Sequence, residues 1–521
     1  MIVILTIIWL MYMFYRTKKA LHMLQQNLYD DDFRYIKWIK NNFNKVMLSF
    51  HLSQVFLIFF ILFVKKGVII PVMFGIIYSL LFIYSFGISH KEIIKKPLVI
   101  TARIKRLLIT LLIIHSLVIY LLCVKCNVNY YLVLTILAYL EFFIVLIAKV
   151  INIPVEKCVF LSFKNKAMKK LKSMPNLEVI GITGSYGKTS SKNILNEILS
   201  VKYNTLKTPK NLNTPYGLIM TINNNLDKFD EIFIAEMGAY KVGEIKELCD
   251  LVHPKYGILT RIGKAHLELF GSEENIQKGK FELIESLPED GVAILNKDDP
   301  MQVNYNLKNK VKILWIGIDN EADYNATNIK VSNSGTTFDL IINKDKSKYK
   351  FETKLLGYAN IYNILSSIAL AHYLGVNIKE LQSAVKSVKP VSHRLEIKQN
   401  NDIYYIDDAY NSNPVGSKMA LDVLNLMNGK KIIVTPGMIE LGSIEDEENR
   451  KFGEYIADVC DEVILIGKKQ THAIQEGLKN KKYDEAHIHI LENVIDAFPL
   501  INKLKGSTTY VLLENDLPDI F

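Results

Sequence analysis

The sequence predicts a helical membrane domain followed by two α/β domains, and two changes along the chain support this. The first 150 of the 521 residues hold five almost wholly apolar segments, whereas the remainder alternates short β-rich runs with helical patterns. A second α/β pattern begins near Lys389-Pro390. We therefore expect a membrane domain at residues 1–155, a central domain at 156–388 and a C-terminal domain at 389–521.

The apolar segments predict about five membrane-spanning helices. Three approach the ~20 residues that cross a bilayer as a helix, while the first and fourth are shorter and fit a tilted or interfacial helix. No basic region precedes the first segment and no small-residue cleavage site follows it, which argues against a secretory signal. In chain order the segments are Ile2 to Tyr15, Val46 to Val64, Val68 to Phe86, Leu107 to Cys123, and Tyr130 to Val150.

Basic residues in the loops orient these helices. They cluster between the first and second segments and between the third and fourth, so the positive-inside rule places both long loops in the cytoplasm. Five spans then predict a multi-pass protein of the cytoplasmic membrane, with everything after Val150 in the cytoplasm. The net charge of +10 is explained by these loops, and no basic-aromatic module predicts a nucleic-acid partner. The two clusters are Arg16, Lys18, Lys19, Arg34, Lys37, Lys40 and Lys45, and Lys91, Lys95, Lys96, Arg103, Lys105 and Arg106.

Two features of the apolar segments are candidates for chemistry, a pair of cysteines and a carboxylate. Cys123 and Cys126 form a C-x-x-C pair at a membrane edge, and without a second pair we interpret it as incidental rather than as a metal or redox site. Glu141 is the notable polar residue within a span. An intramembrane carboxylate is either a functional group or one paired with a neighbouring helix, and the sequence leaves both interpretations open.

A glycine-rich loop opens the central domain. The segment Gly181-Ile-Thr-Gly-Ser-Tyr-Gly-Lys-Thr-Ser190 lies between an apolar run, Leu177 to Ile180, and a helix-like segment, Ser191 to Leu199. Glycines let backbone N–H groups approach a phosphate, Lys188 supplies a positive charge, and Thr189 offers a hydroxyl to Mg²⁺. The alternative is a surface turn, which the flanking strand and helix disfavour. Five residues separate Gly181 from Gly187, one more than in a generic Walker A loop.

Polar residues follow several of the predicted strands. Glu236 closes one central strand and His266 follows the next, at the strand ends where open parallel sheets bind ligands. Glu236 fits either a Mg²⁺ ligand or a helix-capping carboxylate, and a lone histidine is more often packed or on the surface. Predicted strands are 231–235, 256–260 and 292–296, with edge strands at 311–318 and 338–342, and then 403–406, 431–434, 462–466 and 508–513.

These segments together resemble the Mur ligase family, whose members use ATP to join amino acids to cell-wall precursors. The resemblance runs from about Asn176 to about Leu513 and implies a central P-loop domain followed by a C-terminal Rossmann-like domain. Several ordered motifs are far more specific than any one of them. Besides the loop they are Thr208-Pro-Lys-Asn-Leu-Asn-Thr-Pro-Tyr-Gly217, Glu236-Met-Gly-Ala239, Ala265-His-Leu-Glu-Leu-Phe-Gly271, Lys280-Phe-Glu282, Leu295-Asn-Lys-Asp-Asp299, Gly357-Tyr-Ala-Asn-Ile-Tyr-Asn363, His393-Arg-Leu-Glu396, Asp407-Asp-Ala-Tyr-Asn-Ser-Asn-Pro414 and Gly437-Met-Ile-Glu-Leu-Gly442.

The resemblance also implies roles for single residues around ATP and Mg²⁺. Catalytic roles fall to Lys188, His266, Lys280 and Arg394, with Lys280 carbamylated and so turned from a cation into an anion. Metal ligands are Thr189, Glu236 and His266. ATP contacts are Gly184, Ser185, Gly187, Lys188, Thr189, Ser190, Asn296, Asn360, Asn363, Arg394 and Asp408. Substrate contacts are Asn211, Asn213, Thr214 and Asn411. Taken without the resemblance, Arg394 is a candidate for a surface salt bridge.

The sequence departs from the family pattern in three places. The family's N-terminal domain, which grips the UDP end of the precursor, is replaced by the apolar segments. Ala359 stands where the family has a histidine, and Glu514-Asn-Asp-Leu-Pro518 replaces a lysine-glycine-serine-arginine segment. The first departure puts a UDP-linked acceptor in question and the last the identity of the amine donor.

We therefore predict a membrane-anchored, ATP-dependent amide-bond ligase that forms an acyl phosphate and releases ADP. Its expected partners are a small-molecule or lipid-linked cell-wall precursor, an amino acid or dipeptide, and membrane lipids. A ligase for a polyglutamate-type or other peptide polymer shares the same chemistry. A nucleotide-gated transport or scaffold protein is the alternative from another class, which Glu141 mildly favours.

Overall fold

The computed structural model describes residues 1–27, 29, 33–64, 67–91, 97–264, 267–332, 334–409, 413–439 and 441–515. The chain divides into two compact units, one formed by residues 1–162 and the other by residues 163–518.

The N-terminal unit is helical, as predicted. Three stretches are long and apolar enough to cross a membrane, namely Ile69–Ile88, Ala102–Lys125 and Tyr130–Lys172, and a shorter apolar helix covers Ser49–Val64. The last predicted apolar segment does not end its helix at Val150, because the helix runs on to Lys172 through Pro154. The α-helices are α1 (Ile2–Gln26), α2 (Arg34–Asn41), α3 (Phe43–Val46), α4 (Leu52–Val64), α5 (Ile69–Lys91), α6 (Ala102–Ile119) and α7 (Tyr130–Lys172).

Buried polar groups tie these helices together. Glu141 of α7 is fully buried, and its two carboxylate oxygens contact Thr17 Oγ1 at 2.5 Å and His115 Nε2 at 3.0 Å. Arg16 is also buried and donates from Nε to the Ala138 carbonyl at 2.7 Å. Glu141 is therefore a carboxylate paired with neighbouring helices, α1 and α6, which is one of the two interpretations that the sequence left open.

The central part of the second unit is an α/β fold built on a nine-stranded sheet. Its strands are β1 (Glu178–Thr183), β2 (Thr205–Lys207), β3 (Ile232–Glu236), β4 (Tyr256–Leu259), β5 (Val292–Asn296), β6 (Lys312–Gly317), β7 (Tyr324–Ser332), β8 (Gly335–Ile342) and β9 (Ser347–Thr353). Its helices are α8 (Lys188–Leu199), α9 (Pro215–Asn224), α10 (Glu244–Val252), α11 (Leu267–Phe270), α12 (Glu273–Glu285), α13 (Pro300–Val303), α14 (Gly357–Tyr373) and α15 (Ile378–Ser387).

The strand order is β2-β3-β1-β4-β5-β6-β7-β8-β9. The first seven strands pair in parallel, and β7, β8 and β9 pair antiparallel. The predicted strands from β3 to β6 and β8 are confirmed, whereas β7 and β9 were not predicted. The prediction that β6 and β8 are edge strands is wrong, because each pairs with a strand on both sides. Lysines and other polar residues alternate with apolar ones in β7 and β9, so only one face of each is apolar enough to be buried.

Parallel pairing brings the functional segments to one edge of the central sheet. Ile182 of β1 is in register with Glu236 of β3, and Thr183 with Leu259 of β4. Strands β1, β3, β4 and β5 are almost wholly buried. Helices α8 and α14 pack against the sheet through a large apolar core, and α12 contacts β1 and β4. The carboxyl ends of β1, β3, β4 and β5 therefore meet at a common edge.

The C-terminal part is a six-stranded sheet in the order β10-β11-β15-β12-β13-β14, with apolar cores on both faces. All pairs are parallel except β10 with β11. The four predicted strands correspond to β11, β12, β13 and β15, while the edge strands β10 and β14 were not predicted. The elements are β10 (Glu396–Asn400), β11 (Ile403–Asp408), α16 (Pro414–Asn425), β12 (Lys430–Thr435), α17 (Glu445–Val459), β13 (Glu462–Ile466), α18 (His472–Asn480), β14 (Ile488–Leu491), α19 (Ala497–Leu504) and β15 (Thr509–Glu514).

Candidate active site

The glycine-rich loop joins β1 to α8 and owes its shape to two glycines. Gly184 has φ +147° and Gly187 has φ +83°, a left-handed conformation that disfavours other residues. A Cβ at Gly187 would lie 2.8 Å from Asn363 Oδ1 on α14. The loop thus presses directly against α14, and this contact places Asn363 beside the predicted phosphate site.

A second loop, which follows β4, holds the first one in place. The backbone N–H of Ser185 donates to the Arg261 carbonyl at 3.0 Å, and the Ser185 hydroxyl donates to the Gly263 carbonyl at 2.9 Å. Asp299, at the N-terminus of α13, accepts from the backbone N–H of Ile262 at 2.8 Å. Asp299 is 2% exposed, so this residue holds the β4 loop from inside the protein. The β4 loop in turn holds the phosphate loop through Ser185.

Lys188 is the first residue of α8, and its side chain contacts the preceding loop. Its Nζ donates to the Gly184 carbonyl at 2.7 Å and to the Ser185 carbonyl at 3.1 Å. Burial lowers the pKa of Lys188 to about 8, with Glu236 opposing the shift and Arg394 adding to it. The amine is therefore mostly charged at neutral pH. It lies at a helix N-terminus, where a phosphate is favoured.

Glu236 closes β3 opposite the loop and is almost fully buried. Its Oε1 accepts from Thr189 Oγ1 at 3.2 Å and from Asn213 Nδ2 at 3.1 Å, and its Oε2 lies 2.8 Å from Lys192 Nζ. Thr189 and Glu236 present two oxygens side by side, which suits a hard cation such as Mg²⁺. Phosphate oxygens and water would have to complete the coordination, because the described residues contain no group of three His, Cys, Asp or Glu side chains that could hold a metal.

Lys280 lies on α12 and is 2% exposed. Its Nζ donates to the Ala239 carbonyl at 3.2 Å and lies 5.1 Å from the centre of the Phe270 ring. Burial lowers the pKa of Lys280 well below its usual range, and the positive charge of Lys188 lowers it further, against Glu244 and Glu282. The two predicted catalytic lysines therefore interact electrostatically, and both burial and Lys188 disfavour the charged form of Lys280.

The predicted nucleotide-side asparagines occupy three different settings. Asn296 ends β5 and accepts from the backbone N–H of Asp298 at 2.9 Å, while Asn360 donates to the Leu356 carbonyl at 2.9 Å within α14. Asn363 contacts the loop at Gly187. Ser190 is buried at the start of α8.

Arg394 and Asp408 come from the C-terminal part of the unit. His393 and Leu395, on either side of Arg394, both have positive φ, 62° and 51°, a strained conformation for such residues. Arg394 lies close enough to influence the pKa of Lys188, so the structure brings it towards the loop. Asp408 accepts from the Leu395 backbone N–H at 3.1 Å, which places the carboxylate directly against the strained segment.

Glu514 ends β15 and is the first residue of the segment that departs from the family pattern. It lies in register with Asp408 of β11. Burial raises the pKa of Glu514 well above its usual range, and the Asp408 carboxylate raises it further. Ser417 Oγ donates to Glu514 Oε1 at 2.6 Å. A fully buried acid thus stands where the resemblance led us to expect a lysine.

Three of the four predicted substrate residues, Asn211, Asn213 and Thr214, lie in the segment between β2 and α9. Asn213 reaches Glu236, Thr214 caps α9 by accepting from the Gly217 backbone N–H at 3.3 Å, and the side chain of Asn211 is exposed. His266 and Asn411 lie outside the described residues, and their predicted roles stay predictions.

Three residues that sequence reasoning missed support this site. Lys192 pairs with Glu236, Asp299 holds the β4 loop, and Tyr362 donates to Asp298 Oδ2 at 2.8 Å. Lys192 lies one turn after Lys188 on α8, on the face that carries the apolar residues Leu195 and Leu199. That position was the one available signal that its side chain points inward.

Gly187→Ala should reduce nucleotide-dependent turnover by roughly 100-fold, because a shift of about 1 Å in a positioning group has this effect. The new Cβ would meet Asn363, and the loop or α14 would have to move. Gly271→Ala is the matched control, since Gly271 has φ +82° but a Cβ there would meet no atom within 4 Å. Equal turnover in the two variants, measured by ADP release, would contradict the assignment.

Two family models match the second unit, one over its central part and one over its C-terminal part. Residues 182–371 match the Mur ligase middle domain, and residues 393–513 match the Mur ligase glutamate ligase domain.

Two relatives are each named UDP-N-acetylmuramoyl-tripeptide–D-alanyl-D-alanine ligase. The protein from Bacillus subtilis (strain 168) is 32% identical over 311 residues, covering 59% of this chain and 66% of the relative. The protein from Escherichia coli (strain K12) is 35% identical over 300 residues, covering 57% of this chain and 66% of the relative. The chain thus spans just under two thirds of the length of these two relatives.

Solved structures agree with this. MurF ligase from Thermotoga maritima in complex with ADP superposes with a TM-score of 0.62 at 26% identity, over 68% of this chain and 80% of that one. MurF from Acinetobacter baumannii gives a TM-score of 0.62 at 27% identity, over 68% and 77% of the two chains. Because the two family matches together take up more than half of the chain, this protein belongs to the Mur ligase family, as its motifs predicted.

Proposed function

We propose that this protein is an ATP-dependent, ADP-forming amide-bond ligase of the MurF type that acts in the synthesis of a peptidoglycan precursor. The observation that carries the proposal is the meeting of Lys188, the Thr189–Glu236 oxygen pair and buried Lys280 at one sheet edge. Relatives named as tripeptide–D-alanyl-D-alanine ligases support the same reaction class.

In the proposed reaction a substrate carboxylate takes the γ-phosphoryl group of ATP to give an acyl phosphate and ADP. The amine donor then attacks the acyl carbon, and phosphate leaves as the amide forms. Lys188 and the N-terminus of α8 stabilise negative charge on the phosphates. Bound Mg²⁺, held by Thr189 and Glu236, would supply further charge neutralisation. Arg394 reaches the nucleotide from the C-terminal part of the unit.

The test of this function is release of ADP that depends on both an acceptor carboxylate and an amine. Membranes containing the full chain are incubated with ATP, candidate precursors and D-alanyl-D-alanine, and the product mass is measured. ADP release without any new amide would instead favour the nucleotide-gated transport or scaffold alternative. The pairing of Glu141 with Thr17 and His115 weakens that alternative, because its carboxylate already has two partners.

We further propose that the N-terminal unit inserts into the cytoplasmic membrane and presents the acceptor there. Three helical stretches of this unit are long and apolar enough to cross a membrane. The unit also exposes large apolar side chains, such as Phe63, which is 83% exposed, and Leu112, which is 68% exposed. A lipid carrier would then replace UDP as the handle of the acceptor. Each basic residue of the cytoplasmic loops near an anionic surface would contribute about 1 kcal/mol.

Removing residues 1–162 should slow ligation of a lipid-linked acceptor at least ~10-fold, since the acceptor and the enzyme would no longer share a surface. The remaining unit keeps its own apolar cores, so it is expected to fold. The rates of full-length and shortened proteins are compared on lipid-linked and UDP-linked acceptors. If the shortened protein ligates a UDP-linked precursor as fast as the full chain in membranes, the N-terminal unit is only an anchor.

A further inference from the structure

A second buried lysine stands beside the candidate metal ligand. Lys192 lies on α8, one turn beyond Lys188, and its side chain is 1% exposed. Its Nζ is 2.8 Å from Glu236 Oε2, and the Glu236 side chain is also 1% exposed. Lys192 Nζ additionally donates to the Lys210 carbonyl. The pair therefore links α8, β3 and the segment before α9, which carries the predicted substrate residues.

Both carboxylate oxygens of Glu236 are hydrogen-bonded without any ligand. Oε1 accepts from Thr189 Oγ1 and Asn213 Nδ2, Oε2 accepts from Lys192, and the backbone N–H donates to Thr208 Oγ1 at 3.1 Å. A buried carboxylate needs such a counter-charge, because an unpaired charge in a protein interior is strongly destabilising. Lys192 is the cation that supplies it.

The ion pair between Lys192 and Glu236 weakens the attraction of the Glu236 carboxylate for a metal ion. A carboxylate already neutralised by a lysine attracts a divalent cation far less than a free one, and the described residues place no third acidic or imidazole ligand with it. The phosphates of a nucleotide would bring the missing negative charge.

We propose that Lys192 is a positioning residue that neutralises Glu236 and so makes Mg²⁺ binding depend on bound nucleotide. The proposal rests on the proposed function for the identity of that nucleotide. The link from Lys192 to the Lys210 carbonyl further ties the segment around Asn211 and Asn213 to the phosphate loop. Loss of the lysine should therefore leave a buried carboxylate that binds Mg²⁺ by itself.

Thermal unfolding of the full chain in detergent tests this without any turnover. Wild-type protein should unfold at the same temperature with or without millimolar MgCl₂ when nucleotide is absent, and NaCl at equal ionic strength controls for screening. Lys192→Met should lower that temperature by roughly 5 °C or more, and MgCl₂ alone should restore much of the loss. A wild-type protein stabilised by MgCl₂ alone, or a Lys192→Met variant indifferent to it, overturns the proposal.

Two further variants keep the test decisive if Lys192→Met fails to fold. The double variant Lys192→Met, Glu236→Gln removes both charges and should recover folding while losing the response to MgCl₂. Lys192→Arg keeps the charge and should behave like the wild type. A double variant that stays unfolded would show that Lys192 acts through packing and not through its charge, which also overturns the proposal. These readouts do not depend on ligase activity, so a failure of the proposed function remains distinguishable.

Discussion

Lys188→Ala is expected to reduce ATP turnover on the order of 1000-fold while the protein still folds, because removing a single charge-stabilising group has effects of this size. In the free protein the Lys188 amine bonds the carbonyls of Gly184 and Ser185, at 2.7 Å and 3.1 Å. Its loss removes a cation that lies directly against the loop. The measurement is ADP release by purified full-length protein, with folding checked by thermal unfolding.

The control for this variant is Lys228→Ala, which removes an exposed lysine of the same domain. It should keep near-normal turnover. ADP formation close to the wild-type rate by a well-folded Lys188→Ala variant would refute the nucleotide assignment of the whole loop.

The same lysine predicts a pH dependence. Burial lowers the pKa of Lys188 to about 8, so its positive charge is present below that pH and is lost as the pH rises through it. ADP affinity should therefore fall as the pH is raised above about 8, and the fall should be absent in Lys188→Ala. Equilibrium binding of ADP across this range measures the effect directly.

The parts of this fold that the sequence predicted are those that depend on local patterns. Buried parallel strands such as β3, β4 and β5 are continuous apolar runs, and the glycine loop carries its own spacing. Strands β7 and β9 were not predicted because lysines and other polar residues alternate with their apolar residues, so neither strand is a continuous apolar run. The helical nature of the N-terminal unit followed from its apolar segments, whereas the continuation of α7 to Lys172 did not, since its later turns are basic and its course includes Pro154.

The site was predicted residue by residue, and its contacts were not. Lys192 and Glu236 are 44 residues apart, and their ion pair arises only because α8 packs on β3. Likewise the motif that contains Lys280 marked the residue as important. Its burial and its electrostatic interaction with Lys188 come from the packing of α12 beside the loop. A sequence records which residue types are present, and long-range pairing has to come from the fold.

Lys280→Ala should reduce ligation roughly 10- to 100-fold, the size of effect seen when a group supporting a metal site is removed. We expect Lys280 to be carbamylated in the active enzyme. The reaction joins the neutral amine nitrogen to the carbon of CO₂ and releases a proton, so it requires an unprotonated lysine. Burial lowers the pKa of Lys280 well below its usual range, and the charge of Lys188 adds to this effect. Both effects disfavour the ammonium cation, and the positive charge of Lys188 also attracts the carbamate once it has formed.

The Lys280→Ala variant should regain part of its activity with short-chain carboxylic acids, since a small carboxylate can occupy the space and carry the charge of the carbamate. Lys278→Ala is the matched control on the same helix, because Lys278 is exposed and its loss should neither lower activity nor create a response to added acids. Labelled CO₂ should give a lysine carbamate signal in the wild-type protein by ¹³C NMR, and none in Lys280→Ala. Without the carbamate, Lys280 would bring no negative charge to a metal ion. An unmodified Lys280 in CO₂-equilibrated protein with nucleotide and metal bound would therefore contradict both the modification and the role assigned to it.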